Sequence, residues 1–201
     1  MPEVSERFRT AHGREWNQND VAIMYQSFEK HLFASLQDFT TPVPGVVETM
    51  EQLRREGIRI GSTTGYTDAM MKIVQPGAAA QGYIVDCLVT PDHLPAGRPA
   101  PYMIYRNMTE LAIPSVDEVV KVGDTIADIR EGLNAKVCSV GVITGSNELG
   151  LTEEEYKTMP EPELYTLKQE VRERMMAAGA HYVLDNIREL PDLIHNLMNK
   201  K

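Results

Sequence analysis

Apolar and polar positions alternate at helical spacing in the region of residues 1–40. The apolar members recur three or four positions apart with Gln, Glu and Lys between them, which is typical of an amphipathic helix. They are Val21, Met24, Tyr25, Phe28, Leu32 and Phe33. We expect a helix here, which Asn19 or Asp20 could cap at its start. Its apolar stripe would pack in a core or form the contact face of a dimer.

From residue 41 onward the pattern changes to short apolar runs that alternate with amphipathic segments. The change follows a Thr-Pro-Val-Pro-Gly break at residues 41–45, and Pro and Gly punctuate local structure strongly. Runs that predict strands lie at residues 58–61, 86–90, 119–123, 139–144 and 182–184. Strands that alternate with helices imply a parallel sheet with right-handed crossovers. The pattern therefore predicts a helical unit over residues 1–40 and an α/β core over residues 41–201.

The composition is that of a globular protein with an acidic balance. The chain has 201 residues, of which 42% are hydrophobic and 24% are charged, and its formal net charge is −9. This charge argues against nucleic acid or an anionic membrane as a partner. Cys87 and Cys138 both lie in apolar segments, which is typical of buried thiols in a reducing compartment. The first residues lack the apolar core of a signal peptide, so we expect a cytoplasmic protein.

Two aspartates follow the predicted strand at residues 119–123. Asp124 comes directly after that strand, and Asp128 stands one helical turn further on. Open α/β sheets bind ligands outside the carboxyl ends of their strands, and a carboxylate pair there suits magnesium, Mg²⁺. The alternative is that one Asp caps the helix and the other is exposed to solvent.

A hydroxyl-rich turn follows the predicted strand at residues 58–61. Ser62, Thr63, Thr64 and Gly65 stand between that strand and a helix predicted from about Thr67. Hydroxyls and free backbone N–H groups at such a turn can donate to a phosphate group. The alternative is an ordinary Ser/Thr-rich helix cap.

Arg98 precedes a helix that is predicted to begin near Pro101. A guanidinium at this position can bind a phosphoryl group through two N–H groups. The alternative is an exposed surface arginine. Three strand ends would then carry a phosphate-type turn, an arginine and a carboxylate pair. If these groups lie together in the fold, they would form a phosphate-binding site.

In chain order, these motifs resemble those of the haloacid dehalogenase superfamily of phosphotransferases, and within it those of the phosphonoacetaldehyde hydrolase family. The resemblance runs from about residue 15 to the C-terminus. Its most specific parts are Ser-Thr-Thr-Gly-Tyr at 62–66 and Ala-Gly-Arg-Pro at 96–99. It implies a Rossmann-like parallel sheet, with a partial helical cap at residues 1–40 and the hydrolase core at residues 41–201.

The same resemblance implies an activity and the roles of several residues. The activity is Mg²⁺-dependent hydrolysis of phosphonoacetaldehyde to acetaldehyde and phosphate, through an Asp nucleophile and an imine between a Lys and the aldehyde. Thr64 would bind the phosphoryl group and Arg98 would neutralise it. Asp124 would ligate Mg²⁺, with Asp128 supporting it. The substrate-binding residues would be Ser62, Thr63, Gly65 and Tyr66. The family also implies a homodimer formed through cap helices.

Two parts of the family pattern have no counterpart in these 201 residues. The family sequence opens with a strand that ends in Asp-x-Ala-Gly-Thr, whose first Asp is the nucleophile, and the imine-forming Lys follows in the cap. Residues 38–41 follow a helical segment and are no substitute. The more central lysines stand in other contexts, and they are Lys30, Lys72, Lys121 and Lys136.

The absent strand is central in this superfamily, between the strands predicted here at 58–61 and 119–123. We therefore expect a sheet without its first central strand and a chain that, as given, is inactive, because the covalent step has no nucleophile. A late start or a fragment would explain this form. The alternatives are another phosphatase of the same superfamily and a non-catalytic, truncated phosphate-binding remnant.

Overall fold

The computed structural model of the protein describes residues 2–199. These residues divide into two compact units, one that ends at Thr40 and one that begins at Thr41. The assignment of the first unit as a cap and the second as a hydrolase core stays a prediction. Within the described range, no helix is both long and apolar enough to cross a membrane.

The first unit consists of helix α1 (Pro2–His12), helix α2 (Gln18–Ser35) and a short 3-10 helix (Leu36–Phe39). The side-chain oxygen of Asn17 caps α2 by accepting from the backbone N–H groups of Asn19 (2.9 Å) and Asp20 (3.1 Å). The Asp20 carboxylate in turn accepts from the Asn17 N–H at 2.8 Å, which completes a capping box. The prediction that Asn19 or Asp20 caps the helix was therefore wrong by two or three residues.

The second unit alternates helices and strands, except that two helices stand between its fourth and fifth strands. In chain order it contains α3 (Val46–Arg55), β1 (Gly61–Thr63), α4 (Asp68–Ala80), β2 (Cys87–Val89), α5 (Tyr102–Glu110), β3 (Val120–Gly123), α6 (Ile126–Ala135), β4 (Cys138–Val142), α7 (Glu153–Thr158), α8 (Glu161–Ala177), β5 (Tyr182–Leu184) and α9 (Leu190–Met198). The predicted α/β class is confirmed.

The strands form two separate parallel sheets. One sheet pairs β1 with β2, with Ser62 opposite Leu88. The other has the order β3-β4-β5, with Val122 opposite Val140 and Val140 opposite Tyr182. No strand of residues 2–199 joins β1 to β3. This break lies where the resemblance places the absent central strand.

Helices cover both faces of the three-stranded sheet. On one face, Ile129 of α6 packs with Val171 and Met175 of α8. On the other face, Leu53 of α3 packs with Val140 of β4. Full burial of one such aliphatic side chain stabilises the fold by about 1.5–3 kcal/mol. The two helical layers hold the sheet between them. Because its three strands are parallel, their carboxyl ends lie at the same edge.

Candidate active site

The turn after β1 is compact and held by its own hydroxyls. The Thr64 hydroxyl accepts a hydrogen bond from the Tyr66 N–H at 3.1 Å, and the Thr64 N–H donates to the Val89 carbonyl at 3.3 Å. Thr67 then caps α4 by accepting from the Met70 N–H at 3.4 Å. The alternative of a Ser/Thr helix cap thus holds for Thr67, while the hydroxyl of Thr64 shapes the turn that precedes it.

Ser62 and Tyr66 lie at the two ends of this turn. The Ser62 carbonyl accepts from the side-chain amide of Asn107 at 3.0 Å, which ties β1 to α5. Tyr66 is half-buried. The start of the predicted substrate-binding stretch is therefore held by α5.

Arg98 lies against this turn. A Cβ atom built on Gly65 would be 3.4 Å from Nη2 of Arg98, so the guanidinium occupies the space beside that glycine. The other terminal nitrogen, Nη1, binds Oδ1 of Asp128. With 22% of its side chain exposed, Arg98 is not the exposed surface arginine of the alternative.

Asp128 is enclosed by the start of its own helix. Thr125 caps α6, with its hydroxyl accepting from the Asp128 N–H at 3.2 Å. Oδ2 of Asp128 accepts from the Thr125 hydroxyl at 2.6 Å and from the Thr125 N–H at 3.2 Å. Asp128 is only 2% exposed. The alternative of an Asp cap followed by a solvent-exposed Asp was therefore wrong. The cap of α6 is Thr125, and Asp128 is buried.

The charge of Asp128 is balanced by cations on two other elements. Burial would raise the pKa of this carboxyl, but Lys121, the Thr125 hydroxyl and Arg98 together outweigh burial and lower it. The ammonium of Lys121 lies 3.0 Å from Oδ1 of Asp128, the same oxygen that Arg98 binds. Asp128 is therefore a carboxylate at neutral pH.

Lys121 and Glu131 belong to the same cluster, and neither was predicted from the sequence as a site residue. The Lys121 ammonium lies 2.8 Å from Oε2 of Glu131 and donates to the Thr63 hydroxyl at 2.8 Å. That hydroxyl donates to Glu131 Oε2 at 3.0 Å. Thr63 thus links β1 to β3 and α6, although the two sheets share no strand. The signal in the sequence was a lysine inside an apolar run, with carboxylates seven and ten positions later.

Asp124 has different surroundings from Asp128. Its Oδ2 accepts from the Asn147 N–H at 3.0 Å, which fastens the loop after β4 to the end of β3. Its other carboxylate oxygen has no protein partner in the described part of the chain. Both oxygens of Asp128, by contrast, are taken by Thr125, Lys121 and Arg98.

These surroundings decide which carboxylate could hold a metal ion. Residues 2–199 contain no group of three or more His, Cys, Asp or Glu side chains placed to hold one. Mg²⁺ commonly takes one or two carboxylates and completes its shell with water and substrate phosphate. The free oxygen of Asp124 fits that requirement, and the engaged oxygens of Asp128 do not.

The arrangement concentrates anion-binding groups at the carboxyl ends of β1 and β3. Arg98 lies beside the turn at Gly65, and the pair of Lys121 and Asp128 lies behind it. Backbone N–H groups and a guanidinium bind a phosphate or phosphonate group well. Each of the three predicted strand ends therefore contributes to one region of the fold.

Comparison with known proteins agrees with this geometry. The model of the haloacid dehalogenase-like hydrolase family matches residues 4–136. The chain is 68% identical over 200 residues to the phosphonoacetaldehyde hydrolase of Parabacteroides distasonis, covering 100% of this chain and 76% of the relative. It is 58% identical over 201 residues to the phosphonoacetaldehyde hydrolase of Bacteroides fragilis, again covering 100% of this chain and 76% of the relative.

A solved structure is similar over nearly the whole chain. It is the phosphonoacetaldehyde hydrolase-like protein from Oleispira antarctica, with a TM-score of 0.90 and 30% sequence identity. The match covers 99% of this chain and 72% of that protein.

Proposed function

The chain belongs to the haloacid dehalogenase-like hydrolases and, within them, to the phosphonoacetaldehyde hydrolase family, and from this we propose that its site serves the cleavage of the carbon–phosphorus bond of phosphonoacetaldehyde. The products would be acetaldehyde and phosphate. The observation that carries the proposal is the placement of Arg98, with one nitrogen on Asp128 and the other beside the turn at Gly65.

In this proposal each residue of the turn acts on the phosphoryl group or holds its neighbours. The Thr64 hydroxyl and the N–H of Gly65 donate to phosphoryl oxygens, and Arg98 neutralises their charge. Asp128 holds Arg98 in place. The half-buried Tyr66 lines the side of the substrate, and Ser62 fixes β1 through its bond to α5.

We propose Mg²⁺ as the cofactor, held by Asp124. Bound there, the cation would supply positive charge to the transferring phosphoryl oxygens. The free carboxylate oxygen of Asp124 supports this assignment. Mn²⁺, used as a paramagnetic probe in its place, is expected to broaden the amide NMR signal of Asn147, whose N–H binds Asp124. Asp124→Asn should abolish the broadening. Equal broadening in both proteins would contradict the assignment.

We propose that the 201-residue chain by itself does not complete the reaction. Its sequence carries no counterpart of the family's nucleophilic Asp or imine-forming Lys. Lys121 does not replace that Lys, because its ammonium is engaged by Asp128 and Glu131. The purified chain is expected to bind inorganic phosphate and to release no acetaldehyde from phosphonoacetaldehyde.

A chimera tests both halves of this proposal. The part of the Parabacteroides relative that lies outside the match would be fused ahead of residue 1. The chimera should release acetaldehyde, and Arg98→Ala or Asp124→Ala within it should stop the release. Acetaldehyde release by the unfused chain, abolished in Asp124→Ala, would contradict the predicted inactivity. A folded chimera that binds phosphate without turnover would favour the non-catalytic alternative.

We also propose a cytoplasmic homodimer without nucleic acid or membrane partners. The net charge of −9 argues against nucleic acid and anionic membranes as partners. The free thiols of Cys87 and Cys138 support a reducing compartment. Tyr25 and Phe28 of α2 are 64% and 60% exposed, which supports a dimer contact on this helix. Analytical ultracentrifugation should report a dimer for the chain and a monomer for Phe28→Glu. A monomeric wild-type chain would contradict the dimer.

A further inference from the structure

Four charged side chains form one cluster between β3, α6 and the segment before α5. Lys121 and Arg98 are its cations, and Asp128 and Glu131 are its anions. Asp128 and Glu131 have 3% and 0% of their side chains exposed, and Lys121 has 10%. Arg98 extends from this cluster to the turn at Gly65, while Lys121 and Glu131 bind the Thr63 hydroxyl at the end of β1.

The carboxylate of Asp128 binds three residues, which limits how tightly it can bind Arg98. Its Oδ2 is occupied by the hydroxyl and the N–H of Thr125. Its Oδ1 is divided between the guanidinium of Arg98 and the ammonium of Lys121 at 3.0 Å. A fork-to-fork pair between Asp128 and Arg98 is thereby prevented, and Arg98 keeps one terminal nitrogen beside Gly65.

We propose that Lys121 is a positioning residue for Arg98. By taking part of the charge of Asp128, Lys121 leaves the guanidinium free to bind a phosphoryl oxygen. Without it, Asp128 and Arg98 close into a tighter pair, and Arg98 turns away from the phosphate turn. This inference rests on the proposed function only for the identity of the anion, since the arrangement of Arg98 can be measured without any ligand.

Glu131 holds Lys121 in that position. Its Oε2 binds the ammonium at 2.8 Å and accepts from the Thr63 hydroxyl. Its Oε1 is buried without a hydrogen-bond partner in the described part of the chain. Loss of Lys121 would leave this carboxylate as an unpaired buried charge, which is strongly destabilising. A test by Lys121→Met alone would therefore confuse positioning with stability.

The decisive variant is the double substitution Lys121→Met with Glu131→Gln. It removes one cation and one anion together, so the net charge of the cluster is kept and Glu131 is not left as an unpaired buried charge. If Lys121 acts through Asp128, this variant should bind inorganic phosphate roughly tenfold or more weakly, a difference of about 1.4 kcal/mol. In an Asp128→Asn background the same double substitution should weaken phosphate binding much less, because Arg98 then has no carboxylate on which to close.

The side-chain NMR signals of Arg98 provide a second readout that needs no ligand. In the double variant, rotation about the Cζ–Nη1 bond should slow, because Oδ1 of Asp128 would then bind Arg98 without competition from Lys121. Lys121→Arg should return these signals toward those of the wild-type chain. Lys168→Met is the matched control, since Lys168 is similarly enclosed, with 16% of its side chain exposed, and pairs with Asp185 at 3.2 Å.

The outcomes separate the two proposals. A folded double variant with wild-type phosphate affinity and unchanged Arg98 signals would overturn the role of Lys121. The same losses in Lys168→Met would also overturn it, because they would reflect general destabilisation. If the wild-type chain binds no phosphate, the proposed function fails, while the Arg98 signals still decide the role of Lys121.

Discussion

Gly123 has no side chain because Asp128 occupies the space that one would need. A Cβ atom at residue 123 would overlap the Cβ and Cγ atoms of Asp128 and lie 2.9 Å from Oδ2. Gly123→Ala must therefore displace Asp128 or the start of α6. We expect the free energy of unfolding to fall by about 1–3 kcal/mol and phosphate binding to weaken, as measured by urea titration and calorimetry.

The control for this substitution is Gly97→Ala, which lies one residue from Arg98. Its added Cβ would meet only the ring of Pro91, at 3.3 Å, and a slight movement relieves that contact. We expect a much smaller loss of stability and little change in phosphate affinity. If Gly123→Ala behaved like Gly97→Ala, the close packing of Asp128 on β3 would be contradicted.

At the residue scale, the sequence pointed to the polar residues that follow strands more readily than to the charged groups packed behind them. Arg98, Asp124 and Asp128 stand at strand ends, where polar residues interrupt apolar runs. Lys121 stands inside such a run, and its partner Glu131 is ten positions away on a helix. Only the packing of α6 on β3 brings these two charges together, and no local pattern reports that packing.

Helices α6 and α7 each begin with a capping box whose N-cap residue is Thr, so each helix serves as a control for the other. In α6 the box is Thr125 with Asp128, and in α7 it is Thr152 with Glu155. Thr125→Val and Thr152→Val should each cost about 1 kcal/mol of stability. Only Thr125→Val should weaken phosphate binding and raise the pKa of Asp128, followed by carboxyl ¹³C NMR. Equal effects on binding would contradict a special role for the α6 box.

The cap of α2 predicts a response of that helix to acid. The Arg14 guanidinium, and then the Asn17 N–H, lower the pKa of Asp20 from 3.8 to about 2. A lowered carboxyl pKa adds stability above pH 3.8 that is lost as the pH falls toward 2. Amide exchange in the first turn of α2 should therefore accelerate over that range. Asp20→Asn should exchange faster at neutral pH and lack the acid-dependent change.

Element boundaries were predictable where the local sequence alone decides them. The run at residues 182–184 became β5 (Tyr182–Leu184). The strand predicted at 58–61 begins instead at Gly61, because Ile60 exchanges hydrogen bonds with Asp86, through its N–H to Oδ2 (2.7 Å) and its carbonyl to the Asp86 N–H (2.8 Å). Between β4 and β5 lie two helices, α7 and α8, which break at Pro160, where ψ is 134°. The later start of β1 depends on Asp86, which is 26 positions from Ile60, and no local pattern could reveal it.

At the scale of the whole molecule, the resemblance predicted where the sheet is interrupted. It did not predict which side chains connect the two sheets across that break. The family pattern placed a strand between those that became β1 and β3. The structure shows that Thr63 and Lys121 connect the two sheets through side chains and share Glu131. In this region β1 and β3 are therefore connected by a hydroxyl and charged side chains instead of by backbone hydrogen bonds. Motifs that each describe one strand end could not predict a connection between two of them.

The two sheets should therefore differ in local stability. Strand β4 pairs on both sides, whereas β1 pairs with β2 alone among residues 2–199, and an isolated two-stranded sheet is marginal. Amide protons of β4 should exchange on the order of a hundredfold more slowly than those of β1, about 2.7 kcal/mol in opening free energy. In the chimera with the added segment of the Parabacteroides relative, protection should rise in β1 and β3 and stay unchanged in β4. Equal protection of β1 and β4 in the unfused chain would mean that side chains alone hold the two sheets as one cooperative unit.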